Sequence, residues 1–132
     1  MSKFARHVFV VDDEVMITRS LALILSREGF RVSSFTNPLE ALASLESTPP
    51  DLVITDVMMP QLSGIELAIR IRRSRPECEI LLLSAFTADL LEKTRAEGHD
   101  FRLLQKPIHP TELLLEINQL EKKSVTRGCR TP

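Results

Sequence analysis

The chain has 132 residues, of which 43% are hydrophobic and 27% are charged, and its formal net charge is −1. These values are typical of a single globular domain and argue against disorder throughout the chain. They exclude a strongly basic surface for nucleic acid and, because every apolar run is short, a transmembrane helix.

Short apolar runs recur along the chain at intervals of 21 to 27 residues, and one helical pattern lies in each interval. This alternation predicts an α/β fold in which a (βα)5 chain forms a doubly wound parallel sheet. The predicted strands are His7–Val11, Arg31–Phe35, Leu52–Thr55, Glu79–Leu83 and Phe101–Leu104.

Capping residues predict the first three helices. Helix 1 follows Asp13 and ends at Gly29, which suits a left-handed cap. Helix 2 begins with Asn37 as its N-cap and a proline in its first turn. Helix 3 follows Gly64.

Two further helices are predicted in the C-terminal third. Helix 4 occupies about residues 89–97, and helix 5 begins at Pro110 with an apolar stripe of Leu113, Ile117 and Leu120. Because the stripe does not continue, we predict a domain of residues 1–123 and a mobile tail of residues 124–132.

The composition of the strands indicates their order in the sheet. The first, third and fourth strands are continuous apolar runs, as is typical of interior strands covered on both faces. The second and fifth strands carry polar interruptions, which favours edge positions. The resulting order 2-1-3-4-5 is that of flavodoxin-like folds, which bind ligands at the carboxyl edge between strands 1 and 3.

Four polar segments follow predicted strands and therefore meet at this edge: Asp12-Asp13, Asp56, Ser84-Ala85 and Lys106-Pro107. Each has an ordinary alternative, since aspartate and serine often cap helices or stabilise turns. A lysine before a proline is nearly uninformative by itself. Their coincidence on four separate loops favours a common site.

The charges at this edge predict a metal. Two carboxylates about 5 Å apart on neighbouring strands repel each other by about 3 kcal/mol at an effective dielectric constant of about 20. Lys106 offsets part of this repulsion, and a divalent cation would offset the rest. The oxygen ligands favour Mg²⁺ (or Mn²⁺). An aspartate beside such an ion can form an aspartyl phosphate, and no Gly-rich nucleotide loop is present to hold ATP.

With these residues the sequence resembles the receiver domain of two-component response regulators. The matching segments are Val10–Glu14, Asp51–Pro60 with Gly64, Ser84-Ala85 and Lys106-Pro107, within a resemblance that covers about residues 6–122. It implies a single-domain, chemotaxis-regulator-like switch of a two-component system or phosphorelay. Such a protein is not an enzyme beyond catalysing its own phosphorylation and dephosphorylation.

The resemblance implies the metal and phosphoacceptor residues. Asp56 would accept the phosphoryl group. Asp13 and Asp56 would bind Mg²⁺ directly, Asp12 through water, and Met58 through its backbone carbonyl. The donor would be a sensor histidine kinase or a histidine phosphotransfer domain.

The resemblance also implies the phosphoryl contacts and the output. Ser84, Ala85 and Lys106 would contact the phosphoryl group, and the Lys106–Pro107 peptide bond would be cis. Phosphorylation would change the surface of helix 4, strand 5 and helix 5 and so control a downstream protein. The chain would be a monomer or a phosphorylation-dependent dimer.

Two features are expected to tune the switch. Receivers usually carry an aromatic residue three positions before the lysine of strand 5, but this sequence has Leu103 there, and the nearest aromatic is Phe101. We therefore expect the side chain of strand 5 to be coupled to the Ser84 hydroxyl more weakly than in the usual aromatic switch, or by different contacts. Met58 and Phe86 are apolar and cannot orient a hydrolytic water, so we expect a longer phosphoryl lifetime than that of a fast chemotaxis-type receiver.

Other functions compete with this interpretation. A phosphorylation-independent interaction module would use the same fold. A phosphohydrolase with an aspartyl phosphate typically needs a second aspartate at the position of Met58. Direct DNA binding would need a further domain, and the basic run Arg70–Arg75 is interpreted as a solvated helix end. The separated Cys78 and Cys129, and an N-terminus unlike a signal peptide, indicate a reduced, cytoplasmic protein without membrane contact.

Overall fold

The computed structural model describes residues 6–85, 92, 98 and 101–130, with side chains described as far as Leu120. Five parallel strands form one sheet in the order β2-β1-β3-β4-β5. This confirms the predicted fold class and strand order. The strands are β1 (His7–Val11), β2 (Arg31–Phe35), β3 (Leu52–Asp56), β4 (Glu79–Ser84) and β5 (Arg102–Gln105).

Four helices are described: α1 (Val15–Arg27), α2 (Pro38–Ala43), α3 (Gly64–Ser74) and a C-terminal helix (Pro110–Arg130). The predicted helix 4 lies almost entirely outside the described residues. The C-terminal helix continues beyond residue 123, where the predicted domain ends, and the mobility of residues 124–132 stays a prediction. Within the described residues, no helix combines the length and the apolar character that crossing a membrane requires.

Helices cover both faces of the sheet, because side chains alternate between the faces along each strand. On one face, α1 and the C-terminal helix bury Leu21, Leu25 and Ile117 against residues such as Val10 and Leu81. On the other face, α2 and α3 cover Phe9, Val53 and Leu82 with Ala41, Leu67 and Ile71. All residues of β1, β3 and β4 are buried, whereas β2 and β5 are partly exposed.

The predicted cap of α2 and the glycine after α1 are present, whereas α3 begins at Gly64 itself, after a serine cap that was not predicted. The Asn37 side chain accepts a hydrogen bond from the Leu39 N–H (2.9 Å) at the start of α2. The Ser63 hydroxyl accepts one from the Glu66 N–H (3.1 Å) at the start of α3. Gly29 follows α1 with a φ of +97°, a conformation that glycine adopts without steric cost. These caps fix the loops at both edges of the sheet.

Candidate functional site

Three aspartates converge where β1 and β3 end. Asp12 directly follows β1, and Asp56 is the last residue of β3, the neighbouring strand. One carboxylate oxygen from each of Asp12, Asp13 and Asp56 lies within 4.8 Å of the other two. The predicted convergence of these carboxylates is therefore present in the structure.

Asp12 is the most buried member of this cluster, with no exposed surface. Its Oδ1 accepts a hydrogen bond from the Glu14 N–H (2.9 Å), and its own N–H donates to the Phe35 carbonyl (3.1 Å). Burial raises the pKa of Asp12 and outweighs the opposing effect of the Glu14 hydrogen bond, and the charge of Asp56 raises this pKa further. The ionised form of Asp12 is therefore costly unless a cation lies beside it.

Lys106 places one cation between two of these carboxylates. Its Nζ lies 3.0 Å from Asp56 Oδ1 and 3.3 Å from Asp12 Oδ2. Burial by itself would lower the pKa of Lys106, but the hydrogen bond to Asp56 and the charge of Asp12 raise it above its ordinary value. Lys106 is therefore charged throughout the physiological pH range.

The end of β5 positions this lysine. The Lys106 N–H donates to the Ser84 carbonyl (2.9 Å), directly after the paired residues Ser84 and Gln105. The Lys106–Pro107 peptide bond is cis, as predicted. The backbone thus connects Lys106 to Ser84, the residue predicted to supply a hydroxyl to the site.

The donor set of the cluster fits a hard divalent cation. One ammonium cannot neutralise three ionised carboxylates, and the cluster offers oxygen atoms, which Mg²⁺ prefers. Asp13 is exposed, so an ion can reach the cluster from solvent. Helix capping does not account for the aspartates, because the N-cap of α1 is Glu14 and Asp56 belongs to a strand.

The other predicted site residues differ in their surroundings. Ser84 is buried as the last residue of β4, and Ala85 is exposed directly after it. Met58 lies two residues after Asp56, and its surface is 70% exposed. Phe86, the second residue predicted to tune the phosphoryl lifetime, lies outside the described residues.

Leu103 and Phe101, which are proposed for the switch together with Ser84, both lie on the α3 side of the sheet. Leu103 pairs with Leu82 in the sheet and is partly buried against the core on the α3 side. Phe101 precedes β5 and lies at the end of that strand opposite Lys106, roughly 16 Å away at the rise of an extended strand. Its ring packs 5.3 Å below the guanidinium of Arg72. The roles of Phe101 and Leu103 in the switch stay predictions.

Two residues that sequence reasoning did not assign to the site contact the backbone of Asp56. The Thr55 hydroxyl donates to the Asp56 carbonyl (2.9 Å). Gly64, at the start of α3, lies against the peptide bond that follows Asp56. A hydroxyl within an otherwise apolar strand was the available signal for Thr55.

Comparison with known proteins agrees with this geometry. Residues 8–118 match the family described as the response regulator receiver domain. The chain is 30% identical to the response regulator receiver protein CpdR of Brucella abortus, over 87% of this chain and 96% of that protein. It is also 30% identical to the probable transcriptional regulatory protein TcrX of Mycobacterium tuberculosis, but it spans only 50% of that protein.

Solved structures show the same fold. A CheY-like receiver domain protein from Methanospirillum hungatei superposes with a TM-score of 0.85 at 24% identity, over 94% of this chain and 99% of that one. The chemotaxis protein CheY4 of Vibrio cholerae gives a TM-score of 0.81 at 28% identity, over 89% and 99% of the two chains. The family match covers most of the chain and includes Asp12, Asp13, Asp56 and Lys106, so the chain belongs to the response regulator receiver domain family of two-component signalling.

Proposed function

We propose that this chain is a phosphoacceptor switch and that Asp56 receives a phosphoryl group from a phosphohistidine. The observation that carries the proposal is the position of Lys106 Nζ, 3.0 Å from Asp56 and 3.3 Å from Asp12 in a cluster of three carboxylates. A buried arrangement of this kind costs stability. Its use is to bind a metal and to stabilise the charge of a phosphoryl group.

In the proposed reaction, a carboxylate oxygen of Asp56 attacks phosphorus. The phosphorus–nitrogen bond to the donor histidine breaks, and the imidazole leaves with the electron pair of that bond. When bound by Asp13, Asp56 and the backbone carbonyl of Met58, and through water by Asp12, Mg²⁺ would offset negative charge on the phosphoryl oxygens. Lys106, held charged beside Asp56, and the Ser84 hydroxyl would donate hydrogen bonds to those oxygens.

Exposed apolar side chains beside the acidic cluster support a protein as the donor. Val15 and Met16 begin α1 after Glu14, the residue that follows the aspartates, and they are 49% and 72% exposed. Met58, two residues after Asp56, is similarly exposed. Apolar groups clustered at a polar site are typical of a surface that another protein covers. This favours a cytoplasmic sensor histidine kinase or a histidine phosphotransfer domain over a small phosphate ester.

The output surface is proposed to include β5 and the C-terminal helix. Arg102 of β5 forms an ion pair with Glu116 of that helix (3.0 Å), and this contact ties the two elements together. Leu115, on the same helix, is 57% exposed. A change at Lys106 would therefore reach a surface that can bind a downstream protein or a second phosphorylated copy. The contribution of the predicted helix 4 lies outside the described residues.

The test is intact-mass measurement after incubation with acetyl phosphate, with and without Mg²⁺. The wild-type chain is expected to gain one phosphoryl group only with Mg²⁺, and Asp56→Asn is expected to gain none. Asp51→Asn is the matched control, because Asp51 precedes the same strand at its opposite end. This variant is expected to be phosphorylated normally.

The alternatives predict different results. Phosphorylation of Asp56→Asn at the wild-type level would overturn the assignment of the acceptor. Absence of an adduct from both acetyl phosphate and a phosphohistidine protein would favour the phosphorylation-independent module. Sustained turnover of a phosphate ester would favour a phosphohydrolase and would contradict the proposal that the chain acts only on itself.

A further inference from the structure

Two residues contact the peptide group after Asp56. The hydroxyl of Thr55 donates to the Asp56 carbonyl oxygen (2.9 Å), and Thr55 has no exposed surface. A valine would fill the same buried volume without this hydrogen bond. The hydroxyl is therefore a specific restraint on the backbone of Asp56.

The second residue, Gly64, leaves no room for a side chain of its own. A Cβ atom built on Gly64 would overlap the Asp56 carbonyl oxygen and would lie 2.8 Å from the Asp56 carbonyl carbon and 2.9 Å from Val57 Cα. The Gly64 N–H also donates to the Val57 carbonyl (2.8 Å), which closes the loop between β3 and α3. The start of α3 is therefore in direct contact with the backbone of Asp56.

We infer that Gly64 and Thr55 are positioning residues that hold Asp56 in register with Lys106 and the metal-binding aspartates. Non-bonded carbon atoms need about 3.5 Å, so a methyl group at position 64 would push the peptide group away by more than half an ångström. An equal displacement of the Asp56 carboxylate away from Lys106 would lengthen their contact from 3.0 Å to about 3.6 Å, which is beyond hydrogen-bond distance. A displacement of about 1 Å at a reacting group can slow a reaction by about 10²-fold.

A merely structural role for these residues makes a different prediction, and Gly29 supplies the control. Gly29 has a φ of +97° with open space around it, so Gly29→Ala strains the backbone without moving a neighbour. It precedes β2 and therefore lies at the edge of the sheet opposite the aspartates. Any effect of lost stability alone will be seen in this variant as well.

The inference rests on the proposed function, and one experiment on the full chain separates the two. Gly64→Ala, Thr55→Val, Thr55→Ser and Gly29→Ala are compared with wild type for the rate of phosphorylation by acetyl phosphate. Mg²⁺ affinity is measured by NMR titration, and stability by denaturant unfolding. Gly64→Ala is expected to slow phosphorylation at least tenfold and weaken Mg²⁺ binding severalfold. Thr55→Val is expected to do the same to a smaller degree, and Thr55→Ser to restore both.

Each outcome decides the inference. Wild-type rates and Mg²⁺ affinity in both Gly64→Ala and Thr55→Val would overturn it, and so would equal losses in Gly29→Ala. If Gly64→Ala does not fold, the contrast between Thr55→Val and Thr55→Ser decides. If even the wild-type chain is not phosphorylated, the proposed function fails, and the Mg²⁺ affinities alone then support or overturn the positioning role.

Discussion

At the scale of single residues, the cluster combines carboxylates that destabilise the metal-free fold with a lysine that offsets part of their repulsion. Asp12 is buried and its pKa is raised mainly by burial, while Lys106 lies near both Asp12 and Asp56. Replacing one carboxylate by a neutral isostere removes desolvation and repulsion together. The amide oxygen of asparagine can still accept the hydrogen bond from Glu14.

We therefore expect Asp12→Asn to raise the melting temperature of the metal-free chain by a few degrees at pH 7. Because the folded-state pKa of Asp12 is raised, the folded chain binds more protons than the unfolded chain above the ordinary value of 3.8. The contribution of Asp12 to stability therefore falls as pH rises through the interval above 3.8 and is constant beyond its raised pKa. Thermal unfolding of both chains from pH 4 to pH 8 measures this difference.

The pH dependence of the stability difference distinguishes a charge effect from a packing effect. The stability gained by Asp12→Asn should be small near pH 4 and largest at neutral pH, whereas an unrelated packing effect would be independent of pH. A wild-type chain that is more stable than Asp12→Asn at pH 7 without metal would contradict this account of the site. The same variant should bind Mg²⁺ more weakly.

Met58 is the residue at which the phosphoryl lifetime can be tested. Its side chain is exposed and apolar beside Asp56, so it cannot hold a water molecule in line with phosphorus. We expect the phosphorylated wild-type chain to decay over minutes or longer. Met58→Asn should shorten the half-life severalfold, because an amide can orient water.

The measurement is the loss of the phosphoryl group by intact mass after removal of the donor. Leu39→Asn is a suitable control, because Leu39 is also exposed but lies on α2, away from the cluster. A wild-type half-life of seconds without any phosphatase would contradict the predicted role of Met58.

At the scale of helices and strands, the sequence predicted starting points better than end points. The first residues of β1 to β4 were predicted correctly, and for β1, β3 and β4 the reason is that burial on both faces gives a continuous apolar run. Thr55 and Leu83 were predicted as final residues, but β3 and β4 each include the following polar residue of the site. Phe101 was assigned to β5 from its apolar character, although its burial comes from the core and from Arg72.

The first turn of α3 contacts the backbone of Asp56, and removing helix caps tests whether this contact controls the site. Ser63→Ala and Asn37→Ala each remove one side-chain cap, and each is expected to cost about 1 kcal/mol of unfolding free energy. α3 begins at Gly64 against the backbone of Asp56, whereas α2 begins after β2 at the edge of the sheet. Loosening α3 should therefore slow phosphorylation, and loosening α2 should not.

Denaturant unfolding and the rate of phosphorylation by acetyl phosphate are measured on the same samples. The expected result is a similar loss of stability in both variants and a severalfold slower reaction in Ser63→Ala alone. Equal rates in the two variants would show that the first turn of α3 does not control the geometry of Asp56.

At the scale of the whole molecule, topology explains why the site was predictable and its contacts were not. Parallel strands end at one edge, so the order of the strands is sufficient to bring Asp12 and Asp56 together on neighbouring strands and to place Lys106 at the same edge. The overlap at Gly64 and the two contacts of Lys106 Nζ depend on loop conformations. A single sequence does not specify these to within an ångström, because many loop conformations satisfy the same turn residues.

The same topology makes metal binding a property of the folded state. In an unfolded chain Asp56 is far from Asp12 and Asp13, so we expect Mg²⁺ to bind the folded chain in preference and to stabilise it. At about ten times the dissociation constant, the gain is about 1.4 kcal/mol, which corresponds to a rise of about 5 °C in melting temperature for a domain of this size. Far-UV circular dichroism is the suitable probe, since the chain has no Trp and no Tyr.

The variants assign this stabilisation to the cluster. Asp13→Asn removes an exposed ligand without creating a cavity, so it should keep the metal-free stability while losing most of the rise with Mg²⁺. Asp51→Asn, an acidic residue at the opposite edge of the sheet, should keep the full rise. If Mg²⁺ raises the melting temperature of Asp13→Asn as much as that of the wild-type chain, the ion acts elsewhere. The three carboxylates would then repel one another without a metal to compensate them, and the proposed phosphoacceptor chemistry would lose its electrostatic basis.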